Sequence, residues 1–424
     1  MNNSWFEKVM LNFYTYSKDI FGEKSTYHGF EMKEAIQNST DGLQSDQLQG
    51  KILYTDEDGN SHKPVSIFVK LASDNAFASS NSILYSFSNE INFYTKIAPM
   101  MGTLDESFFS LFPKFFHGET MFNKNRNESA IFFEDLRIRD YKMTEKKSFL
   151  DYQHLALMMR KLGTFHAYSY KAKNATPDLF YPTMSNIFQE CNPIANRECN
   201  HLLAIIARRG FDLLQQEHKY LQYAARMETL IENSNDIYKQ SLNGDRENPT
   251  SVITHGDYLR NNLMFRYKNN IPDDLIMIDM ATYRYASPVI DLLHVLYMNA
   301  DQATRDKYWD KLIDEYYTAL KETFPDNEVP SKSTIMSDFI GRSFYVYLVA
   351  SYFLPRLMEY DYDIPLPQDT DLDPDIARKY RERKFTEIPI EMWAKLLLLI
   401  GGEKSTQALR DILQDMIDRK FICA

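Results

Sequence analysis

The strongest constraint on the fold is a change in the spacing of apolar residues along the chain. Two early runs, residues 48–56 and 63–72, have β-strand composition, and the link EDGN (57–60) between them carries the Asp-Gly pair of a hairpin turn. From about residue 150 the apolar residues recur at helical spacing, beginning with YQHLALMMRKLGTFHAYSYKA (152–172). A β-rich piece followed by a larger helical piece predicts an α+β chain.

Three further segments refine this pattern. The stretch SNSILYSFSNEINFYTKIAP (80–99) has apolar residues at helical spacing, which predicts a helix that ends at Pro99. SAIFFEDL (129–136) is predicted to be a buried strand that runs into polar residues, and the sequence after Pro288 alternates helical segments with proline-marked breaks. We therefore place a hinge at about 133–140, between an N-terminal lobe (1–136) and a C-terminal lobe (137–424), with a ligand cleft expected between them.

Composition excludes several classes of function. Apolar residues make up 44% of the 424 residues, which indicates a folded protein, and the net charge of −11 disfavours nucleic acids and anionic lipid as partners. No run of 18 or more apolar residues exists, and the leading segment (1–23) predicts an amphipathic helix rather than a signal peptide. Cys191, Cys199 and Cys423 are too few for a disulfide framework or a zinc site. These features predict a cytoplasmic protein without membrane insertion. A monomer is our expectation, which no sequence feature decides.

The stretch ITHGDYLRNNLMF (253–265) places polar residues between two runs of strand character. Asp257 and Asn262 lie five residues apart, and the next apolar run, LIMI (275–278), ends at Asp279. Oxygen ligands of this kind suit Mg²⁺. Phosphoryl transfer needs one Asp to accept the proton of the attacking hydroxyl, and an Asn and a second Asp to hold metal ions. We therefore predict that Asp257 is the base and that Asn262 and Asp279 are metal ligands, gathered at one point.

The spacing from Asp257 to Asn262 equals that of the protein-kinase pattern H-R-D-x-x-x-x-N, with Gly256 in place of Arg and Met280-Ala281 in place of Phe-Gly. In the alternative interpretation, Asp257 and Asn262 only form turns and Asp279 only caps a strand. His255 is predicted to support the loop backbone rather than to act as an acid or base.

A kinase also needs a strand lysine for the phosphates and a helix glutamate that holds it. Lys70 lies in the strand SIFVKL, and Glu90 borders the apolar face of the helix predicted at 80–99. We predict that these two residues form an ion pair. The alternative is an exposed lysine and a solvated glutamate.

Two other features leave alternatives open. The segment NSTDGLQSDQLQGKI (38–52) lacks G-x-G-x-x-G, so its small polar residues, Ser45 among them, either present amides to phosphate or form an ordinary connector. Asp291 follows Ser287 and Pro288, which are predicted at the N-cap and first position of a helix. There it would complement the helix dipole, and bracing the loop of Asp257 is a second role.

The quoted motifs resemble a known family. THGDYLRNNLMF, IDMATYRYASPVIDLLHVLY, FVKL, FEDLRIRDYKM and LGTFHAYS are similar, in order and from about residue 30 to 360, to the ecdysteroid kinase-like (CHK kinase-like) family. That family lies within the aminoglycoside phosphotransferase and choline kinase superfamily. The resemblance implies a bilobal protein-kinase-like fold, with a small β-rich N-lobe and a large, mainly helical C-lobe.

The resemblance also implies ATP and Mg²⁺ as cofactors and a role for each matching position. By it, Asp257 would be the base, Asn262 and Asp279 the metal ligands, and Lys70 with Glu90 the phosphate-binding pair. FEDL (133–136), with Glu134 and Leu136, would be the hinge that reads the adenine edge, and Ser45 would lie in the phosphate loop. The chain departs from the usual Asp-Phe-Gln of the family at Asp279-Met280-Ala281.

The implied reaction is phosphorylation of a small-molecule alcohol, such as an ecdysteroid or a xenobiotic alcohol. The aromatic segment 341–355 would suit an apolar acceptor pocket, although such a stripe is more often core. A choline or ethanolamine kinase, and a pseudokinase that binds a small ligand, are the alternatives. A protein kinase is disfavoured because Ser287-Pro288 follows Asp279 too closely to leave room for an activation segment.

Overall fold

The computed structural model describes residues 24–36, 45–55, 58, 64–72, 80–120, 129–185, 202–364, 366, 372–382, 384 and 387–423. These residues form two compact units. The first comprises the described residues up to Lys142 together with Ile276–Thr282. The second contains the other described residues from Met143 onwards. The predicted α+β class is confirmed, since an antiparallel sheet lies in the first unit and most helices lie in the second. The predicted helix in 1–23 lies outside the described residues, and the hinge at 133–140 stays a prediction.

The first unit contains a five-stranded antiparallel sheet in the order β1-β2-β3-β5-β4. Its strands are β1 (Thr26–Ile36), β2 (Ser45–Thr55), β3 (Val65–Ala72), β4 (Phe115–Glu119) and β5 (Ala130–Glu134). The predicted hairpin is confirmed, because β2 pairs antiparallel with β3. In β3 the apolar Ile67, Val69 and Leu71 are buried in one cluster. Side chains alternate along a strand, so Lys70 lies on the opposite face of the sheet from that cluster.

The helix predicted at 80–99 continues past Pro99. Helix α1 (Ser80–Asn92) runs into a π-helical turn, Phe93–Ile97, and then into α2 (Ala98–Gly102). The prediction that Pro99 ends the helix is wrong, because Pro99 falls in the first turn of α2. A proline is tolerated there, since an amide at that position has no partner within its own helix.

The second unit is mainly helical. The longest helices are α3 (Tyr152–Ala175), α9 (Gln302–Thr323) and α10 (Lys332–Tyr362). The others are α4 (Pro177–Met184), α5 (Leu202–Leu214), α6 (Ala224–Glu232), α7 (Ser234–Ser241), α8 (Val289–Leu293), α11 (Pro374–Arg381), α12 (Ile390–Leu399) and α13 (Gly402–Asp418). A second π-helical turn, His294–Met298, follows α8 directly. Among the described helices, none is long and apolar enough to cross a membrane.

Asp257, Asn262 and Asp279 lie in the connections between four short strands. Strand β6 (Val252–Thr254) pairs with β9 (Arg284–Ala286), and β7 (Leu263–Lys268) pairs with β8 (Ile271–Met277). The two strands that flank the predicted catalytic loop therefore belong to separate two-stranded sheets. Helix α8 begins at Val289, with Pro288 rather than Ser287 at the N-cap position, one residue later than predicted.

The aromatic segment of α10 is part of the core. Phe344, Tyr345, Tyr347 and Tyr352 are each at most 4% exposed. This outcome supports the core interpretation of the segment rather than an acceptor pocket. Pro355 lies inside the same helix and does not break it, because packing of the buried segment maintains helical backbone on both sides.

Candidate functional site

The first cluster of predicted site residues centres on Lys70. Its ammonium lies 2.7 Å from Glu90 Oε2 and 2.7 Å from Asp279 Oδ1. The predicted ion pair of Lys70 with Glu90 is therefore present, and Asp279 completes a lysine cluster of one cation and two carboxylates. The side chain of Glu90 is 1% exposed, so it lies within the buried face of α1 rather than on its border, whereas that of Asp279 is 41% exposed.

Burial and charge act together on this cluster. Burial raises the pKa of Glu90 to about 7, with a further rise from Asp279, while the charge of Lys70 opposes the rise. Burial also disfavours the ammonium form of Lys70, but the two carboxylates outweigh it and raise the lysine pKa above its usual value. Lys70 is therefore a permanent cation near neutral pH, whereas the pKa of Glu90 lies in that range.

The backbone after β8 holds Asp279 in place. Asp279 has a φ of 62°, in the left-handed region that Asp and Asn tolerate better than other non-glycine residues. Beyond it, the amide of Met280 donates to the Glu90 carboxylate, and Asn89 Nδ2 donates to the carbonyl of Ala281 at 3.2 Å. Two neighbouring residues of α1 thus bind the segment that follows Asp279.

The second cluster is the HGD loop, which we define as His255–Asn262. Asn262 Nδ2 donates to the Asp257 carbonyl and to Asp257 Oδ2, both at 2.8 Å. The five-residue spacing of the motif therefore closes a local hydrogen-bonded turn, with Asn262 buried and Asp257 half-buried. Asp257 and Asn262 belong to the second unit and Asp279 to the first, so the predicted gathering of the three at one point stays a prediction.

Asp291 braces the HGD loop from α8. Its Oδ2 accepts from the His255 amide at 2.6 Å and its Oδ1 from the Gly256 amide at 2.9 Å. His166 Nε2 lies 3.2 Å from the same carboxylate, and its Nδ1 lies 3.0 Å from the Tyr316 hydroxyl. Burial opposes ionisation of Asp291, but the hydrogen bond and charge of His166 outweigh it and hold the pKa of this carboxyl below its usual value. Asp291 also lies in the first turn of α8, as the helix-dipole role requires, and its bonds to the loop amides are the contacts of the brace.

His255 is fully buried, and its ring lies at 5.7 Å from that of Tyr258. Its backbone amide donates to Asp291 Oδ2, and the predicted support of the loop by its side chain stays a prediction. Gly256 has a φ of 81°, so a residue with a Cβ would be strained between His255 and Asp257.

The predicted hinge residues follow β5. The Glu134 amide donates to the Lys114 carbonyl at 2.9 Å, and the Glu134 carboxylate accepts from Arg139 Nη1 at 2.9 Å. Leu136 is buried, and its carbonyl accepts from the Tyr141 amide at 3.3 Å. These contacts hold the segment in shape, and its role in reading adenine stays a prediction. Ser45 is the first residue of β2, and most of the predicted phosphate loop before it lies outside the described residues.

The donor chemistry of the two proposed metal ligands fits Mg²⁺. Both could supply oxygen: the Asp279 carboxylate is partly exposed, and Asn262 directs its Nδ2 at Asp257. Asn262 Oδ1 accepts from Asn261 Nδ2 at 3.1 Å and keeps a second lone pair for a ligand. Within the described ranges, no group of three or more His, Cys, Asp or Glu side chains could hold a metal ion. Mg²⁺ commonly uses one or two carboxylates and completes its coordination with phosphate oxygens and water, so the fit is retained.

Sequence reasoning did not assign a role to Asn89, His166, His294 or Asn299, which contact the segments named above. A single His or Asn on an apolar helix carries no signal of its own, because its partner is far away in sequence.

Comparisons with known proteins support the family resemblance stated from the motifs. The Ecdysteroid kinase-like family matches residues 40–327, which is more than half of the chain. No curated protein matched the sequence.

Solved structures show a weaker likeness. An ethanolamine kinase from Plasmodium vivax aligns with 11% identity and a TM-score of 0.39, over 96% of this chain and 87% of that one. The GDP complex of aminoglycoside 2′-phosphotransferase-IIIa aligns with 10% identity and a TM-score of 0.41, over 94% and 98% of the two chains. A choline kinase from Streptococcus pneumoniae aligns with 12% identity and a TM-score of 0.31, over 91% and 99%.

The family match covers the lysine of β3, the glutamate of α1, the HGD loop and Asp279 in one continuous span. The chain belongs to the Ecdysteroid kinase-like family.

Proposed function

We propose that the protein is an ATP-dependent kinase that transfers the γ-phosphoryl group to the hydroxyl of a lipophilic small-molecule alcohol, with a steroid or xenobiotic alcohol as acceptor. The observation that carries the proposal is the lysine cluster. A buried lysine held between a helix carboxylate and a partly exposed Asp is the arrangement that kinases use to bind nucleotide phosphates.

In this proposal each predicted residue has one task. Lys70, fixed by Glu90, binds the α- and β-phosphates of ATP, and Asp279 with Asn262 holds Mg²⁺. When bound, the metal neutralises phosphate charge. The backbone of Glu134 and Leu136 reads adenine, and Ser45 lies at the end of the phosphate loop.

The HGD loop supplies the base. Asp257 orients the acceptor hydroxyl and takes its proton as the hydroxyl oxygen bonds to the γ-phosphorus. The bond from that phosphorus to the β–γ bridging oxygen breaks, and ADP leaves. The hydrogen bonds from Asn262 to Asp257, and those from the loop amides to Asp291, hold the carboxylate for this step.

Nucleotide binding is the first property to measure. We expect ATP to raise the melting temperature only when Mg²⁺ is present, and we expect Lys70→Met and Asp279→Asn to abolish that shift. Asp363→Asn is the matched control, since Asp363 also has a left-handed backbone (φ 48°) but lies exposed at the end of α10. A wild-type protein that shows no ATP-dependent shift would contradict the proposal.

Transfer to an acceptor is the second property. We expect labelled phosphate to move from ATP to at least one member of a panel of steroid and xenobiotic alcohols, and Asp257→Asn to reduce the rate by several orders of magnitude. Choline and ethanolamine belong in the same panel. Phosphorylation of those two alone would replace the lipophilic acceptor by an amino alcohol, and ATP binding without any transfer would favour a pseudokinase.

A further inference from the structure

One segment of the second unit, Val289–Asn299, holds the backbone of the HGD loop by hydrogen bonds. Side chains at three positions of that segment accept hydrogen bonds from four backbone amides of the loop. The bonds are His255 N to Asp291 Oδ2 (2.6 Å), Gly256 N to Asp291 Oδ1 (2.9 Å), Tyr258 N to His294 Nδ1 (3.3 Å) and Arg260 N to Asn299 Oδ1 (3.0 Å). The backbone is thus fixed on both sides of Asp257, before it by Asp291 and after it by His294 and Asn299.

The π-helical turn explains why these three positions act together. On a regular α-helix, positions 291, 294 and 298 would share one face, since they are separated by three and seven residues. The turn His294–Met298 is wider by one residue per turn, which brings Asn299 to the place that Met298 would otherwise occupy. The extra residue of the turn therefore lets the Asn299 side chain reach the loop.

His294 is suited to accept a hydrogen bond. It is buried, and burial lowers its pKa to about 4, so the ring is neutral at physiological pH. Because Nδ1 accepts from the Tyr258 amide, the ring proton lies on Nε2, which faces the Tyr345 hydroxyl at 3.5 Å. The ring thus has one acceptor, and it is directed at the loop.

Asn299 uses both ends of its side chain. Its Nδ2 donates to the His294 carbonyl at 2.8 Å, which ties the side chain to the π-helical turn, while its Oδ1 accepts from the Arg260 amide. Its own carbonyl accepts from the Leu150 amide at 2.8 Å. Because this buried amide is bonded through both its nitrogen and its oxygen, its side chain is held in one orientation, and the Arg260 amide is held with it.

We propose that His294 and Asn299 are positioning residues of the reaction, which hold the amides of Tyr258 and Arg260 and thereby fix the carboxylate of Asp257. Neither side chain touches the reacting atoms in this role. The inference rests on the proposed function of Asp257 as the base.

The test compares two substitutions of one residue. His294→Leu removes the acceptor, whereas His294→Asn places Oδ1 where Nδ1 lies and retains it. We expect His294→Leu to lower kcat by about 100-fold with the KM for ATP unchanged, because a small displacement of the base costs that much. His294→Asn should restore most of the rate. His154→Leu, in α3, is the matched histidine control and should have the wild-type kcat.

Hydrogen exchange of the loop amides gives a second readout that needs no activity. The amides of Tyr258 and Arg260 should exchange faster in His294→Leu and Asn299→Leu than in the wild type, and at the wild-type rate in His154→Leu. If His294→Leu does not fold, Asn299→Leu is measured in the same two ways. A wild-type protein inactive on every acceptor would remove the proposed function, while exchange would still test the positioning.

Two results would overturn the inference. One is a folded His294→Leu protein with the wild-type kcat and unchanged exchange. The other is a His294→Asn protein as impaired as His294→Leu, since the ring would then matter for its packing rather than for its hydrogen bond.

Discussion

At the scale of single residues, the lysine cluster combines one cation with two carboxylates of unequal burial. The Lys70 ammonium forms ion pairs with both Glu90, which is buried, and Asp279, which is partly exposed to solvent. The contact with Asp279 lies at the partly exposed side of the cluster, whereas the contact with Glu90 is buried. Glu90 therefore sets the position of the lysine, and in the proposed function Asp279 is the member that binds the metal.

Glu90 makes the stability of the protein depend on pH. Its folded-state pKa of about 7 lies above the ordinary 4.5, so the folded protein keeps this proton where the unfolded chain loses it. Its contribution to stability is present below about pH 4.5 and is lost as the pH rises through about 7. Glu90→Gln stays neutral, so its melting temperature relative to the wild type should rise between about pH 5 and pH 8. Calorimetry across that range checks this, and a constant offset would contradict it.

The backbone of Asp279 gives a second prediction. With φ at 62°, a residue without a short polar side chain is strained there. Asp279→Asn and Asp279→Ala both remove the charge, but only Asn retains the preference for this conformation. We expect Asp279→Asn to be more stable than Asp279→Ala by about 1 kcal/mol, measured by denaturant unfolding. The same pair of substitutions at the exposed Lys51 of β2, whose φ is ordinary, should show no such advantage of Asn.

Sequence reasoning succeeded for some of these residues and failed for others. The pairing of Lys70 with Glu90 was predicted from the kinase pattern, after apolar periodicity had placed the lysine in β3 and the glutamate in α1. The bond between Asn262 and Asp257 was accessible because it spans only five residues. His166, His294 and Asn299 were missed, since their contacts with the HGD loop or its brace join distant parts of the chain.

At the scale of elements, helices α3 and α9 approach each other at Gly163. A Cβ at this position would lie 2.3 Å from the Tyr316 carbonyl oxygen and 3.0 Å from the Leu320 amide nitrogen, which are backbone atoms that cannot move aside. Ala is the better helix former by about 1 kcal/mol, yet Gly163→Ala must separate the two helices. We expect a net destabilisation of roughly 1–3 kcal/mol, measured by chemical denaturation.

Gly341 in α10 is the matched control for that substitution. A Cβ built there meets no atom within 4 Å, and its φ is not in the left-handed region. Gly341→Ala should therefore stabilise the protein by about 0.5–1 kcal/mol. If both variants were equally stable, helix propensity rather than the contact of α3 with α9 would govern these positions.

Two prolines show that helix ends could not be predicted from the sequence. Pro99 and Pro355 both read as breaks, and helical backbone continues through each of them. A π-helical turn precedes Pro99, and α10 is buried around Pro355. Neither feature is visible in the local sequence. Apolar periodicity predicted that these helices exist, but it could not predict where they end.

At the scale of the whole molecule, the first unit is discontinuous in sequence. Residues up to Lys142 are completed by Ile276–Thr282, which supply Asp279 for Lys70, the Met280 amide for Glu90 and the Ala281 carbonyl for Asn89. A chain truncated after Lys142 leaves the buried Glu90 and Asn89 without those partners, at about 1–3 kcal/mol for each group.

We therefore expect the truncated chain to melt without a cooperative transition, as followed by circular dichroism. The matched comparison is the same fragment joined through a flexible linker to residues 270–286, which should recover cooperative melting. Cooperative unfolding of the fragment alone, at the midpoint of the linked form, would show that the added segment is not needed.

Local sequence by itself determined the α+β class, the β2–β3 hairpin, the long helices, the Lys70–Glu90 pair and the turn from Asp257 to Asn262. The class, the hairpin, the helices and the turn follow from apolar periodicity or from a spacing of a few residues. The Lys70–Glu90 pair follows from the kinase pattern applied to two predicted elements. Only the tertiary structure decided that Ile276–Thr282 completes the first unit and that Asp291, His294 and Asn299 hold the HGD loop. Those contacts join residues more than thirty positions apart, and their partners are chosen by the packing of the folded chain.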